Sequence, residues 1–242
     1  MNELRALLSD TTEKVLANLA ADEKTARQQW NDSGLANVML PESEGGFGGG
    51  WEDAFIVLRA MGAHASPVAF AEAIVAPKTE GAEPDARFRA MALARCCQMA
   101  GAMQSALDLS VQYTRERQQF GKPLATFQAI QQQLALFAEE TAATNMAAAA
   151  ACRAADRGDA TFETAAAKLR ANMAVGTATS VAHQVHGAMG FTAEYRLQRL
   201  TKLLWQWRSE YGNDRYWADR LGTAVAAGGP DGFWPLLSNS AG

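Results

Sequence analysis

Apolar residues recur at helical spacing along nearly every long segment of this 242-residue chain, and almost no segment shows the strict alternation of a half-buried strand. Three long helices are predicted over residues 86–118, 126–157 and 161–187, separated by the breaks FGKPLA and RGDA. Short breaks between long helices predict antiparallel neighbours. The spacing therefore predicts an all-α fold.

The N-terminal part is predicted to be a smaller helical region. One face of its first helix is formed by Leu4, Leu7, Leu8, Val15, Leu16 and Leu19, and a short second helix ends near Trp30. The following stretch, LANVMLPESEGGFGGGW, contains Pro41 and a run of glycines that no helix tolerates cheaply. We predict a loop packed by Val38, Met39, Leu40 and Phe47.

Two further helices are predicted before the bundle. One begins at about Trp51 and has Phe55, Leu58 and Met61 on one face, and the other opens at Pro67 and runs to Ala76. The segment PKTEGAEPD at 77–85 has the composition of a linker, and GGP at 228–230 is predicted to release an apolar tail. The expected organisation is a helical N-terminal region at 1–76, a linker at 77–85, a helical domain at 86–227 and a tail at 228–242.

Charge and composition exclude several classes of function. The 22 Lys and Arg residues against 26 Asp and Glu residues give a net charge of -4 without a long basic run, so no nucleic-acid partner is expected. The N-terminus does not have the pattern of a signal peptide, and no segment approaches the ~20 strongly apolar residues of a membrane span, so we expect a cytoplasmic protein without a membrane partner. Cys96, Cys97 and Cys152 are expected to be reduced core residues, because their number and spacing suit neither a disulfide framework nor a zinc site.

Two motif-like features have simpler explanations. The sequence GGFGGG at 45–50 follows no predicted strand and lacks the third glycine of a dinucleotide-binding motif, so a flexible turn is the better interpretation. His183 and His186 have the spacing of metal ligands on a helix, but no third ligand accompanies them. We therefore expect no metal site.

Two other segments could bind a ligand. In the segment from Tyr113 to Pro123, three cations lie close to a helix end: Arg115, Arg117 and Lys122. They could bind an anion, but cations at a helix C-terminus are also stabilised by the helix dipole, and composition favours neither explanation. In the segment from Gln184 to Phe191, glycines follow a long helix and would let the backbone approach a ligand. A glycine C-cap explains Gly187 well and Gly190 less well.

Together the two segments resemble the paired motifs of the C-terminal helical domain of acyl-CoA dehydrogenases. The first motif is matched by Tyr113, Arg117, Gln119, Phe120, Gly121, Pro123, Phe127 and Gln128, and the second by Gln184, His186, Gly187, Gly190, Phe191 and Thr192. The N-terminal stretch from Gly34 through LPESEGGFGGG is also similar to that family, so the resemblance extends from residue 30 to near residue 222. It implies a C-terminal bundle of the four-helix type.

The resemblance implies a flavin cofactor shared between subunits. In the family the corresponding residues reach an FAD bound mainly by the neighbouring subunit. Arg117 would then pair with the pyrophosphate, Phe120 and Phe127 would pack near the adenosine end, and Gln184 and Gly187 would contact the diphosphate and ribose. The cofactor-binding residues expected from the resemblance are Arg117, Gln119, Phe120, Gly121, Phe127, Gln184, Gly187 and Gly190.

The family's strand-rich middle domain and its general base have no counterpart in this chain. The middle domain is replaced by PKTEGAEPDA, and alignment on Tyr195 puts Tyr211 where the family has a catalytic glutamate. Glu210 is one residue away, a rotation of about 100° on a helix. It is the one candidate base, and this geometry does not favour it.

These features predict a small subunit of a heteromeric acyl-CoA dehydrogenase that is not active alone. A full-length acyl-CoA dehydrogenase subunit would bind most of the acyl-CoA substrate, of which steroid or other bulky side chains are an example by analogy, and would carry out the α,β-desaturation. Two alternatives remain open. One is a self-sufficient homo-oligomer that uses Glu210, and the other is a helical interaction or scaffold subunit without catalytic function.

Overall fold

The computed structural model describes residues 3–66 and 68–241, so Pro67, which was predicted to open a helix, lies outside the described residues. The helices of the described part are α1 (Glu3–Ala17), α2 (Glu23–Asp32), α3 (Trp51–Ala63), α4 (Val68–Thr79), α5 (Pro84–Glu116), α6 (Gln128–Arg157), α7 (Thr161–His186), α8 (Arg196–Ser209) and α9 (Asp214–Ala241). Two-residue strands, β1 (Gln118–Gln119) and β2 (Lys122–Pro123), form an antiparallel hairpin. The prediction of an all-α fold is confirmed.

The long helices α5, α6 and α7 pack on one another, and α8 lies against α5 and α7. The interior of this bundle is apolar, and Met99, Met103, Phe137 and Trp207 are among its fully buried side chains. Cys96, Cys97 and Cys152 are buried free thiols, and the Sγ atoms of Cys97 and Cys152 lie 3.5 Å apart. Burial raises the pKa of Cys96 to about 12. The expectation of reduced core cysteines is confirmed.

The N-terminal region joins the bundle through a close crossing of α3 and α5. A Cβ atom on Gly62 of α3 would lie 1.9 Å from the Gln98 carbonyl oxygen, and one on Gly101 of α5 would lie 1.8 Å from the Arg59 carbonyl oxygen. Both distances are far inside van der Waals contact, so each helix needs glycine where it meets the backbone of the other. The two glycines thus set the distance between the helices.

Asp156 of α6 makes a second link between the two parts. Its carboxylate oxygens accept hydrogen bonds from the backbone N–H groups of Trp51 (2.6 Å) and Glu52 (3.0 Å) at the start of α3. These N–H groups have no partner within their own helix, and a negative charge there also suits the helix dipole. A side chain distant in sequence therefore caps α3.

The glycine-rich loop before α3 is ordered by its own backbone. The N–H groups of Gly46, Gly48 and Gly49 donate to the carbonyl oxygens of Pro41, Leu40 and Val38. Val38 and Met39 are buried as predicted, whereas Phe47 is 61% exposed. The prediction for Phe47 was wrong because the turn faces solvent at that residue, and the N–H groups named here are not available to a phosphate.

The apolar face predicted for α1 is only partly correct. Leu8, Val15, Leu16 and Leu19 pack on the core, but Leu4 and Leu7 are 69% and 64% exposed. Thr12 is fully buried, so it marks the middle of the face in contact with α3. At about 100° per residue, Leu4 and Leu7 lie beyond the edge of that face.

Both ends of the segment predicted as a linker are helical, at residues 77–79 and 84–85. Helix α4 continues through Pro77 to Thr79, and α5 begins at Pro84, so residues 80–83 alone separate the two helices. Proline is favoured in the first turn of a helix because its missing N–H group would have no partner there. The connection between the two regions is therefore a short turn.

The predicted apolar tail is also helical. Helix α9 is interrupted at Gly229, which has φ 67° and ψ -173°, and continues beyond it to Ala241. Glycine alone adopts this conformation cheaply, and Pro230 then suits the first turn of a new helical section. Residues 228–230 therefore produce a kink within α9, where we had predicted that an apolar tail begins.

A buried lysine closes the C-terminal end of α8. Lys168 is fully buried on α7, and its Nζ atom lies 2.7 Å from Asn172 Oδ1 and 2.9 Å from the carbonyl oxygen of Trp207. The carbonyl oxygens of Arg208 and Gly212 are each 3.3 Å away. Burial is the main cause that lowers the pKa of this ammonium group to about 8.

We expect Gly62→Ala and Gly101→Ala each to lower the free energy of unfolding by more than about 2 kcal/mol, since the added methyl group would force α3 and α5 apart. Urea denaturation would measure the loss. Gly222→Ala on α9 is the matched control, because a Cβ atom there has no neighbour within 4 Å. A loss in the control equal to that in the two crossing variants would contradict the packing argument.

Lys168 should also make stability depend on pH. The folded-state pKa of about 8 lies below the ordinary value of 10.5, so between these pH values the unfolded chain holds a proton that the folded chain has lost. Stability should rise with pH over this interval, by on the order of 3 kcal/mol in all.

The measurement is urea unfolding of the wild type and Lys168→Met at several pH values in that interval. Subtracting the variant's profile removes contributions from tyrosines and cysteines. Lys202→Met, at an exposed position of α8, should keep the wild-type profile. Identical profiles for the wild type and Lys168→Met would sink the prediction.

Candidate functional site

The two sequence motifs meet in one cleft between the C-terminal ends of α5 and α7. This cleft, here called the two-motif cleft, has a volume of about 440 Å³. The α5 end and the chain after it contribute Tyr113, Arg117, Gln119, Leu124 and Ile130, and the α7 end contributes Gln184, Val185, His186, Gly187, Ala188 and Met189. Four of the predicted cofactor-binding residues, Arg117, Gln119, Gln184 and Gly187, thus share a surface.

Arg117 lies where α5 ends. Its backbone is extended, and its N–H group still donates to the Tyr113 carbonyl oxygen (2.8 Å). The Arg117 carbonyl oxygen accepts from Leu124 (2.9 Å), which holds the hairpin against the helix end. The side chain is exposed, and none of the ion pairs in the described part of the chain includes it.

The hairpin beside the cleft presents an exposed aromatic ring. Phe120 and Gly121 form its turn with φ values of 52° and 80°, and consecutive positive φ values are typical of tight two-residue hairpins. The Phe120 side chain is 90% exposed. Its ring centroid lies 6.1 Å from that of Phe127, over which the Lys122 ammonium group sits at 4.4 Å. Phe120, Gly121 and Phe127 therefore adjoin the cleft without lining it.

The two glycines after α7 have different structural roles. Gly187 has φ 58° and ψ -140° and ends the helix at the cleft surface. Gly190 is buried, and a Cβ atom there would lie 3.0 Å from His186 Cβ and 3.1 Å from Leu197 Cδ2. Gly187 thus shapes the surface, whereas Gly190 allows the turn to pack against the bundle and does not line the cleft.

His186 forms the floor between the two motifs and is 2% exposed. Its ring stacks on Tyr113 with a centroid distance of 4.5 Å. Nδ1 lies 2.7 Å from the Ala182 carbonyl oxygen, and Nε2 lies 3.2 Å from Tyr195 Oη. Burial is the main cause that lowers the pKa of His186. Sequence reasoning found this histidine in the motif but gave it no role of its own.

His183 and His186, which have the spacing of metal ligands, lie in different surroundings. His183 Nε2 lies 3.0 Å from Thr201 Oγ1, and the His183 ring stacks on Phe191 at a centroid distance of 4.2 Å. Among residues 3–66 and 68–241, no group of three or more potential metal ligands occurs.

A second cleft, of about 520 Å³, lies on the other side of the α7 end. Gln184 and Gly187 line both clefts, so they form a ridge between them. The second cleft is further lined by Gly176, Thr179, Ser180, His183, Phe191 and Trp205. It contains none of the other predicted site residues.

Glu210, the candidate base, lies in a different part of the molecule and is bound on both oxygens. Oε2 accepts from Arg95 Nε (2.6 Å), and Oε1 accepts from Gln206 (2.7 Å). Arg95 is only 1% exposed and also donates to Gln98. The neighbouring Tyr211, with φ 52°, packs on the Arg95 guanidinium. This arrangement pairs Glu210 with a buried cation and places one hydrogen bond on each of its carboxylate oxygens.

The two-motif cleft is chemically suited to a diphosphate. An exposed guanidinium without an ionic partner lies beside the side-chain amides of Gln119 and Gln184. Arginine donors pair strongly with phosphate oxygens, and amides can supply further hydrogen bonds. The apolar residues Leu124, Ile130 and Met189 line the remaining wall. These residues fit the diphosphate and an adjoining apolar portion of FAD.

Within the described residues, no helix is long and apolar enough to cross a membrane.

Comparison with known proteins identifies the bundle. Residues 85–204 match the family model described as "Acyl-CoA dehydrogenase, C-terminal domain". The chain is 40% identical over 104 residues to the acryloyl-CoA reductase (NADH) of Anaerotignum propionicum, a match that covers 43% of this chain and 26% of that protein. It is 33% identical over 154 residues to the glutaryl-CoA dehydrogenase of Desulfococcus multivorans, covering 59% and 40% respectively. The chain thus spans less than half the length of these curated relatives.

Solved structures share the fold of nearly the whole chain. The ChsE4-ChsE5 complex from Mycobacterium tuberculosis matches with a TM-score of 0.83 at 15% identity, covering 93% of this chain and 98% of the other. The Tcur3481-Tcur3483 steroid ACAD matches with a TM-score of 0.81 at 20% identity and the same coverage. These identities establish the fold alone. The family match over the bundle shows that the chain belongs to the acyl-CoA dehydrogenase family, and residues 3–66 and 68–241 contain no middle β domain.

Proposed function

We propose that this chain is the small subunit of a heteromeric acyl-CoA dehydrogenase and helps to bind FAD at the interface with a full-length partner. The partner would bind most of the acyl-CoA and carry out its α,β-desaturation, in the cytoplasm, on substrates that include steroid or other bulky side chains. The observation that carries the proposal is the meeting of Arg117, Gln119, Gln184 and Gly187 in one surface cleft.

The position of this cleft favours a ligand that is shared with another chain. Arg117, Gln119, Gln184 and Gly187 are all exposed, so the side-chain donors of the first three lie at the protein surface. An FAD diphosphate held by these groups alone would remain open to solvent on its other side. A second subunit that covers the cofactor would complete the site, as the resemblance of the motifs implies.

The parts that an independent dehydrogenase needs are lacking in the described residues. Residues 80–83 alone connect α4 and α5, where the family has its strand-rich domain. Glu210 is bound by Arg95 and Gln206 and is therefore poorly suited to proton abstraction. Both features favour a chain that contributes to a partner's site over a self-sufficient homo-oligomer.

Two of the structural neighbours support a role in a two-component assembly. One is named as the ChsE4-ChsE5 complex and the other as the Tcur3481-Tcur3483 steroid ACAD. Their names suggest both the partner and the bulky substrate that we propose for this chain.

In such a complex this chain would bind and orient the cofactor. Bound FAD supplies the hydride acceptor of the reaction. Arg117 would neutralise the diphosphate charge, and Gln184 and Gly187 would contact the diphosphate and ribose. The exposed Phe120, together with Phe127, would cover the adenosine end, while Gln119, Gly121 and Gly190 would shape the surrounding loops.

Arg117→Ala should weaken FAD binding by the co-purified complex by about 10- to 100-fold, because charge-assisted hydrogen bonds contribute roughly 1.5–3 kcal/mol each. The chain would be co-expressed with a full-length acyl-CoA dehydrogenase encoded by a neighbouring gene. Absorbance would give the number of FAD molecules per subunit pair, and a fluorescence titration would give the affinity. We expect one flavin per pair in the wild type.

Arg115→Ala is the matched control, because Arg115 lies on the last turn of α5 but does not line the cleft. It should retain wild-type flavin affinity. Unchanged flavin content in the Arg117→Ala complex, or failure to form any complex, would favour a helical interaction protein without a cofactor. Flavin retained by the chain purified alone would favour the homo-oligomer.

Glu210→Gln separates structural from catalytic roles. We expect turnover of the folded complex to stay within about threefold of the wild type, since loss of a true general base costs roughly 10²- to 10⁴-fold. Stability should nevertheless fall by about 3 kcal/mol, because Arg95 loses its closest carboxylate. Turnover per bound flavin and urea unfolding would be measured on the same preparation. A hundredfold loss of turnover with intact flavin content would restore Glu210 as the base.

A further inference from the structure

The second cleft, which adjoins the two-motif cleft, presents two exposed aromatic side chains. Phe191, from the turn after α7, is 61% exposed, and Trp205 of α8 is 47% exposed. The Phe191 ring stacks on His183 at a centroid distance of 4.2 Å, and the Arg208 guanidinium lies 5.1 Å from the centre of the Trp205 ring. The volume of about 520 Å³ is typical of a ligand pocket. Aromatic rings exposed in such a pocket suit a planar ligand.

A glycine in the middle of α7 lines the same cleft. A Cβ atom on Gly176 would have no neighbour within 4 Å, and its φ is not positive, so neither packing nor backbone conformation within this chain requires glycine there. Glycine destabilises a helix interior relative to alanine. The missing side chain leaves the helix backbone accessible to a molecule outside the chain.

The charges around the second cleft favour a neutral group over an anion. Among the described residues that line it, His183 is the one titratable side chain, and burial lowers its pKa. Arg208 lies beside Trp205 but forms an ion pair with Asp214. The hydroxyl group of Ser180 and the Gln184 amide can form hydrogen bonds to polar atoms on a ring. A phosphate would find its cation in the two-motif cleft instead.

The two clefts are connected in an order that matches the chemical groups of FAD. Phe120 and Phe127 adjoin the two-motif cleft, Arg117 lines it, and Gln184 and Gly187 form the ridge that leads into the second cleft. An aromatic surface, a cation, a ridge and a second aromatic surface thus follow one another. FAD has adenosine, diphosphate, a ribityl chain and the isoalloxazine ring in the same order.

We propose that the second cleft binds the isoalloxazine ring of the FAD whose diphosphate is held in the two-motif cleft, with Phe191, Trp205 and Gly176 as contact residues. This chain would then orient the reacting end of the cofactor as well as its diphosphate. The partner would bring the acyl-CoA to the side of the ring that this chain leaves exposed. The inference rests on the proposed function, because FAD binding at the two-motif cleft is its premise.

The test compares FAD with ADP, which has the adenosine and the diphosphate but no flavin ring. Both would be titrated calorimetrically into the co-purified complex after its FAD has been removed. Trp205→Ala should weaken FAD binding by about 5- to 100-fold, the usual effect of losing an aromatic side chain that stacks on a base, and should leave ADP binding unchanged. Trp234→Ala is the matched control, because this tryptophan is 72% exposed and lines neither cleft. It should keep both affinities.

Gly176→Leu would fill the second cleft without disturbing the fold, because the new side chain starts in open space and leucine favours a helix. Its thermal midpoint should equal or exceed that of the wild type, so this variant tests the site even if Trp205→Ala fails to fold. FAD binding should weaken about as much as in Trp205→Ala, and ADP binding should not change. Gly222→Leu on α9 has equally open surroundings and should keep both affinities.

Arg117→Ala separates failure of this inference from failure of the proposed function. It should weaken the binding of both FAD and ADP, because both contain the diphosphate. If it does so while Trp205→Ala and Gly176→Leu leave FAD binding unchanged, the proposed function stands and the ring lies elsewhere. Loss of the complex in Gly176→Leu, measured by gel filtration, would give the cleft to a side chain of the partner and would also overturn the inference. If Arg117→Ala weakens neither ligand, the proposed function fails and this inference fails with it.

Discussion

The close crossing of α3 and α5 is the constraint on which the rest of the structure depends. At Gly62 and Gly101 the backbone of each helix lies against that of the other, with no room for even a methyl group. Because α5 also forms one side of the bundle and ends directly before Arg117, this crossing ties the N-terminal region to the helix that leads to the two-motif cleft.

Charged side chains complete the connections between helices. Asp156 of α6 caps the start of α3, Lys168 of α7 closes the end of α8, and Arg95 of α5 holds Glu210 in the turn before α9. In each case a long-range side chain satisfies polar groups at a helix end or in a turn, where no intrahelical partner exists. These interactions adjoin a core that is mostly apolar and rich in alanine.

The region around Glu210 and the two-motif cleft differ in how their charged groups are paired. The Arg95–Glu210 pair and the aromatic side chains of Phe88, Tyr211 and Trp217 pack together behind α5, so the region around the candidate base is structural. The two-motif cleft is open to solvent, and the Arg117 guanidinium beside it has no ionic partner among the described residues. Charged groups are thus paired with one another around Glu210, whereas Arg117 in the two-motif cleft is available to a ligand.

Periodicity in the sequence by itself determined the helical fold and the three long helices, and the resemblance of its two motifs to those of acyl-CoA dehydrogenases predicted the candidate site residues. Local rules suffice for these, because a helix is defined by neighbouring residues and each motif is contiguous.

Other features depended on tertiary contacts. Leu4, Leu7 and Phe47 are exposed because no neighbouring element covers them, and Pro77 and Pro230 lie within helical segments where composition predicted a linker and a tail. Only the folded chain could bring Arg117 to Gln184, place His186 between them and bind Glu210 to Arg95, because these partners are far apart in sequence or lie on separate helices and their contact is decided by packing.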